Sequence, residues 1–576
     1  MRPSDLDTSE NPYSATNGKI DDVYGPGSFT DRGFTPLPQE CQRLLKLMAD
    51  MTPGFSSDNL DVDFYGNDLP LIAGPLKSQA MSAVLFAMIG LVGREISKLK
   101  GIDTGRVHID VDKAGLFLAT PAIVSIDGKT LREAKRDGTV YKVGCNVDQG
   151  LIEKNPLTLR SWAIYPTKDG KSYQAMSSLT PPSWFSAYNL SQDAPVQSKD
   201  EAYRVIGQQM LQFSASELDV FNMERGFCGQ QCYTPAEWRE TNMGKSLARH
   251  PVLEYKQVYS SRLLPPVPFP ESSDQRPLAG IRVIEIGRII AIPALGATLS
   301  SLGAEVIKVQ SPNLPDLLSL SVQLTADKQT LPLDLRVTED VIKLRNLIAD
   351  ADVIIQGFRP GSLGRRGFGL ENVINMANNR GKGIVYLDLS TYGPDGYYHE
   401  RPGFQQIADA ASGCSWVMGR SLGRKDCVLP SLPIADMLSG TAGAIDVMLA
   451  LRDRAKRGGS YHASVALTSL DTVQLREDVG LYPPEIVDQI QQKWQFDPLT
   501  PDLHVEEFLA LVSKAWARRG AVKKEYKQSY VTPWSKDHVI LSPIVEYDNQ
   551  GSSARWLRGP VPFCWNPDAA WTPRRG

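Results

Sequence analysis

The chain has 576 residues, 42% of them hydrophobic and 22% charged, with a formal net charge of −3. That length exceeds what one compact core fills, so two or more globular units are expected. The near-neutral balance leaves no basic stripe for nucleic acid. No uninterrupted apolar run reaches the roughly 20 residues of a membrane span, the longest, residues 81–92, being interrupted by Gly90.

In chain order, residues 1–36 are rich in Ser, Asn, Gly, Pro and Asp, and the stretch to about residue 40 is expected to be a disordered tail without a signal core. Residues 41–263 read as a mixed α/β lobe, with a long helix near 77–99 and a short strand near 106–111. Asp169-Gly170 marks a hairpin turn. Helices are expected near 200–212 and 235–243. Five prolines within 264–277 make a linker or domain crossing.

At 281–286 and 306–309 two apolar β-runs flank a small-residue segment, the pattern of a parallel strand–helix–strand unit. Residues 278–480 continue that alternation as a doubly wound sheet would. The last part, 481–576, shows one clear helix near 505–517 and extended pieces expected to pack on the core. The seven cysteines are scattered, and only Cys228 and Cys232 lie close in sequence, so no zinc site is expected. A reduced, cytoplasmic protein is the expectation.

The two halves echo one another. Leu69-Pro-Leu-Ile-Ala-Gly74, a helix and Thr104-Gly-Arg-Val-His-Ile-Asp-Val111 recur as Leu432-Pro-Ile-Ala-Asp436, a helix and Arg457-Gly-Gly-Ser-Tyr-His-Ala-Ser-Val465. Asp436 in the second copy falls on Gly74 in the first.

No G-x-G-x-x-G follows the strand at 281–286, since Gly287-Arg-Ile-Ile-Ala-Ile-Pro-Ala-Leu-Gly296 has the wrong spacing, which argues against a nicotinamide or flavin cofactor. Neither a Walker sequence nor a G-x-S-x-G elbow is present. The strand at 351–356 ends at the turn Gly357-Phe-Arg-Pro-Gly361, where open α/β sheets bind ligands. There Phe358 offers a flat face, and Arg359 and Arg365 offer charge for a phosphate-bearing, adenine-containing ligand. Asp436 begins an Ala/Gly-rich helix. A carboxylate at that place either caps the helix or, among small residues, has room to attack a thioester and form an acyl anhydride.

Taken together, these motifs resemble the class III CoA-transferases, the CaiB/BaiF group that includes formyl-CoA transferase, carnitine CoA-transferase and α-methylacyl-CoA racemase. The resemblance rests on Pro277-Leu-Ala-Gly-Ile-Arg-Val-Ile-Glu-Ile, Leu302-Gly-Ala-Glu-Val-Ile-Lys-Val309, Leu333-Asp-Leu-Arg336, Phe358-Arg-Pro-Gly-Ser-Leu, Gly403-Phe-Gln-Gln-Ile-Ala-Asp-Ala-Ala-Ser-Gly413 and Pro433-Ile-Ala-Asp436. It implies a Rossmann-like doubly wound parallel sheet with a smaller α/β domain. It also implies CoA and acyl-CoA as substrates rather than tightly bound cofactors, and a small carboxylic acid as acceptor, with neither nucleic acid nor membrane as partner.

By the same resemblance Asp436 is the nucleophile, while Leu333, Asp334, Leu335, Arg336, Phe358, Arg359 and Arg365 form the CoA-contacting turns. The chain also departs from the family. A glutamate thought to assist catalysis falls on Gln405, the racemase histidine falls on Phe404, and CoA-contacting Gln and Arg positions fall on Ile290 and Ser311. Asp409, one helical turn beyond Gln405, shares its face and compensates if the segment is helical. Besides transfer, a racemase and a catalytically dead CoA-binding protein remain open readings, with Phe404 against the former.

The family's later part precedes its earlier part here, in a length resembling fungal members. That order implies a rearranged chain supplying what two interlocked subunits usually share, a monomeric pseudo-dimer or a homodimer.

Overall fold

The computed structural model describes residues 18–145, 155–259 and 264–573. Its centre is a seven-stranded sheet of β1 (Glu254–Val258), β2 (Arg282–Ile286), β3 (Glu305–Gln310), β4 (Lys328–Pro332), β5 (Val353–Gln356), β6 (Val385–Ser390) and β7 (Ser460–Ala466). The spatial order is β1-β7-β6-β5-β2-β3-β4. Strands β2 to β7 run parallel and β1 joins β7 antiparallel at the edge. The winding reverses between β2 and β5, so the carboxyl ends of these two strands frame the crevice where doubly wound sheets bind ligands.

Every residue of β2 is buried, as a central parallel strand requires. One of them is Glu285, whose carboxylate takes Lys308 Nζ at 2.9 Å and Lys328 Nζ at 2.6 Å, all three side chains fully enclosed. Helix α2 (Ala291–Ser301) packs close above this triad: a Cβ on Gly296 would come within 2.0 Å of Glu285 Oε2, so a larger residue does not fit there.

A smaller antiparallel sheet of Ile164–Pro166, Ser172–Met176 and Cys228–Gln231 carries its own aromatic core of Tyr165, Tyr173, Trp184, Phe185 and Tyr188. Its first turn is the expected one, closed by Thr167 N–H donating to Lys171 O.

The internal echo is a repeat of helix, strand and short helix. Helix α1 (Ser78–Leu99) leads to a strand at Val107–Asp110 and a helix at Val111–Phe117. Later, α4 (Ile434–Arg457) leads to β7 and to α5 (Leu467–Gln474). Helices α1 and α4 pack against each other. Both are long and apolar enough to cross a membrane by length and composition, yet 89% and 100% of their apolar windows lie inside the protein. They are core helices, which explains apolarity on all sides rather than along one stripe.

Two sequence expectations need correction. Within the supposed tail, Lys19–Asp21 and Phe29–Asp31 form a hairpin, and a helix starts at Leu37. The order comes from buried charge: Lys77 Nζ reaches both Asp31 and Glu40, and Lys19 pairs with the same Asp31. Residues 1–17 of that expected tail lie outside the described residues. Secondly, Gly74 and Asp436 do not share a helix register. Asp436 is the third residue of α4, whereas Gly74 lies four residues before α1 begins, and the third residue of α1 is Ala80. Gly74 has φ +100°, and a Cβ there would stand 2.3 Å from Met418 Sδ.

Candidate active site

Three helices bring carboxyl groups together in the interior. The i, i+4 pairing expected of residues 405 and 409 is present on α3 (Gln405–Ser412): Gln405 Nε2 donates to Asp409 Oδ2 at 3.1 Å. The same nitrogen donates to Leu432 O at 2.8 Å, tying α3 to the segment that enters α4. With Nε2 occupied twice, the amide orientation is fixed and Oε1 is left buried without a donor. Gln405→Glu would set a carboxylate against two acceptors. We expect it to cost roughly 1–3 kcal/mol of stability, the desolvation penalty of an unmatched buried group, as read by urea unfolding at pH 7; an unchanged midpoint would mean that Gln405 is not held by these two bonds.

Asp436 lies in the first turn of α4 but does not cap it: the N-cap is Pro433, without a side-chain cap bond. Burial pushes the Asp436 carboxyl up to about 7. A helix N-terminus favours a carboxylate by about 0.3–1 kcal/mol, less than one pKa unit, so desolvation wins here.

Sequence reasoning missed a third carboxyl. Asp471 on α5 is buried against Asp409, and among the described residues no other donor reaches its oxygens. Two carboxyls meeting acceptor to acceptor are satisfied only if they share a proton. Burial first, then the neighbouring acidic charges, drives Asp471 well above the carboxylate range, and burial drives Asp409 the same way. Nothing local marks Asp471 in the sequence; it is brought in by the packing of α5 on α3.

Phe404, just before α3, has its ring centroid 6.3 Å from that of Trp162, two residues before the smaller sheet begins, near-parallel at 26°. The place of a racemase histidine is thus filled by an aromatic stack.

A separate cleft opens at the carboxyl ends of β2, β3 and β5, lined by Cys145, Gly287, Arg288, Val309, Gln310, Ser311, Leu314, Asp316 and Phe358. Arg288 lies over the Phe358 ring, 5.5 Å from its centroid, and its Nη1 donates to Pro315 O at 2.7 Å. The next residue, Ile289, has φ +68°, a left-handed conformation that a β-branched side chain rarely adopts. Its N–H is held by Asp316 Oδ1 at 3.1 Å. Such strain, roughly 1–3 kcal/mol, persists where surroundings impose it and concentrates at ligand sites.

Of the expected CoA contacts, Phe358 lines this cleft, and the others lie around it or away from it. Leu333 is buried in the apolar layer beneath the sheet and Leu335 packs against that layer, so neither presents a free side chain. Asp334 and Arg336 close on each other at 2.6 Å. Arg359 donates to Gly226 O at 3.2 Å. Arg365 is exposed on a short turn. Arg288 was not singled out from the sequence, because a lone Arg between apolar residues carries no motif.

Among known sequences, the model of CoA-transferase family III matches residues 278–478. A protein named acyl-CoA transferase from Gibberella moniliformis is 44% identical over 565 residues, covering 95% of this chain and 98% of that one. The acetyl-coenzyme A transferase nodX of Hypoxylon pulicicidum is 31% identical over 445 residues, 76% of this chain and 75% of that one. A succinyl-CoA–L-malate CoA-transferase beta subunit from Chloroflexus aurantiacus is 36% identical over 204 residues, 33% of this chain and 49% of that one. Among solved structures, a CAIB/BAIF family protein from Brucella suis is 26% identical with a TM-score of 0.30, covering 34% of this chain and 55% of that one.

Proposed function

The chain belongs to CoA-transferase family III, and from that premise we propose that it moves CoA from an acyl-CoA thioester to a small carboxylic acid through Asp436. The observation that carries this reading is a desolvated carboxyl, titrating at about 7, at the entry of a buried helix lined by small residues. Carboxylates in water are weak nucleophiles. Removing water and fixing orientation is what makes one reactive.

In the proposed sequence, Asp436 attacks the thioester carbonyl, the C–S bond breaks, and CoA leaves as thiolate, giving a mixed anhydride. The thiolate then attacks the Asp436 carbonyl of that anhydride and expels the donor acid as carboxylate, leaving an aspartyl-CoA thioester. The acceptor carboxylate repeats these steps in reverse: it displaces CoA to form a second anhydride, and thiolate attack on its acyl carbon restores Asp436. No net proton is consumed. Burial favours the neutral, protonated form of Asp409 and Asp471, which limits the negative charge standing beside Asp436 when it ionises.

The test is chemical trapping. Incubation with acyl-CoAs and hydroxylamine should convert Asp436 to the hydroxamate, read by mass spectrometry. Because the corresponding place in α1 holds Ala80 and Gly74 stands against Met418, one modified aspartate per chain is expected. A second modified site in the N-terminal half would refute the single-site reading. No trapping together with solvent deuterium entering beside the thioester would replace transfer by racemisation. One modified site per chain would also support a chain that is its own pseudo-dimer, in which α1 packs on α4.

A further inference from the structure

Cys145 and Cys564 are joined by a disulfide, with Cα atoms 5.7 Å apart across 419 residues of sequence. The bond sits at the cleft between β2 and β5. Cys145 lines that cleft directly, as do Arg288 and Phe358. Cys564 N–H donates to Gln310 Oε1 at 3.4 Å, and Gln310 is another lining residue. The two strands of the staple also meet through their backbones, Cys145 N–H donating to Phe563 O at 3.2 Å. The segment bearing Cys564 is fixed in turn to the sheet: Trp565 N–H donates to Thr330 Oγ1 at 3.0 Å, and Asn566 N–H to Thr330 O at 2.9 Å. Both cysteines are partly exposed, whereas Cys41, Cys228, Cys232, Cys414 and Cys427 are buried free thiols.

We propose that Cys145 and Cys564 are a reversible thiol–disulfide site in the wall of the nucleotide cleft, and that its oxidation state sets how tightly the nucleotide end of CoA is held. The proposal rests on the reading of this protein as a CoA-transferase. In a reducing compartment a disulfide that forms is typically transient and redox-sensing rather than structural, and partly exposed thiols are the ones exchange can reach. In the forward step, the thiolate of one cysteine attacks a low-molecular-weight disulfide such as oxidised glutathione and expels one thiol. The other cysteine then attacks the mixed disulfide, its S–S bond breaks, and the second thiol leaves. Two electrons and two protons pass to the small disulfide, and a dithiol reverses the exchange. The closed staple holds Cys145 against the sheet. Opening it leaves the wall to be ordered when ligand binds, which weakens affinity.

The experiment measures the binding of adenosine 3′,5′-bisphosphate, the thiol-free nucleotide end of CoA, to the full chain by calorimetry. One sample is treated with oxidised glutathione, the other with dithiothreitol, and the Cys145–Cys564 cross-linked peptide is mapped in each. Reduction should raise Kd by about threefold to tenfold, the cost of ordering one or two interfacial side chains. Cys564→Ser should bind as the reduced protein does and ignore reductant. Equal Kd in both states, or no cross-linked peptide after oxidation, overturns the proposal. Absence of nucleotide binding in both states also overturns it, and with hydroxylamine still trapping Asp436 the transferase reading stands. Loss of trapping with a redox-dependent Kd would remove that reading instead.

Discussion

Asp436→Asn is expected to abolish transfer and, at pH 8, to make the protein more stable. The first effect follows from removing the attacking oxygen: loss of a covalent nucleophile lowers turnover by about 10³-fold or more. The second follows from the same burial that makes the group reactive. Its pKa rises from 3.8 to about 7 on folding. Between those values the folded protein holds a proton that the unfolded chain has lost, so stability falls as pH rises through this window and levels off above it. At 1.36 kcal/mol per unit, the ionised group costs roughly 4 kcal/mol at most above neutrality. Asn has the same shape and no charge to desolvate. Urea unfolding should therefore show a gain of roughly 2–4 kcal/mol at pH 8 and almost none at pH 4, where Asp436 is neutral in both states. A gain of equal size at both pH values would mean that packing, not charge, separates the two proteins. Under the proposed mechanism, wild-type activity should rise with pH through about 7 as Asp436 ionises.

The parts of this fold legible in the sequence are those with a local physical cause. The β-runs that became β2 and β3 alternate with a small-residue helix because parallel strands need a covered crossover, whereas Asp169-Gly170 makes the tight turn that only an antiparallel pair allows. Gln405 and Asp409 were legible as neighbours for the same reason, since four residues on a helix give one face. What escaped depends on residues far apart in sequence. The hairpin at Lys19–Asp31 is ordered by Lys77, and no composition rule sees a partner 46 residues away. Asp471 reaches Asp409 across two helices, and Cys145 reaches Cys564 across 419 residues. The match of Gly74 with Asp436 failed differently: the letters align, but α1 starts later relative to them than α4 does. Leu333 belongs to a motif, yet its side chain serves the core, because alternate residues leaving a buried strand point inward.

Glu285→Gln should be the most destabilising single substitution in the sheet. Glu285, Lys308 and Lys328 are all inaccessible to water, so one carboxylate answers two ammonium groups. Each ammonium also donates to one carbonyl, Lys308 Nζ to Gly287 O at 2.7 Å and Lys328 Nζ to Pro293 O at 2.8 Å. Burial already lowers Lys328 to about 8, with Glu285 opposing that fall. Gln keeps the volume and removes the opposing charge, leaving two like charges without a counter-ion. Breaking a buried pair from one side costs roughly 3–5 kcal/mol. The pH arm identifies the cause. A lysine whose folded pKa is lowered binds fewer protons folded than unfolded, so stability rises with pH between that pKa and 10.5. In the wild type the window opens at about 8; in Glu285→Gln it opens lower, and the variant should recover part of its loss as pH rises from 6 to 8. Lys308 also holds Gly287 O at the edge of the cleft, so the shape of that edge should change along with stability. A loss below about 1 kcal/mol with no recovery at higher pH would mean that water reaches the triad. The floor of the cleft would then be set by apolar packing of α2 on the sheet and not by charge.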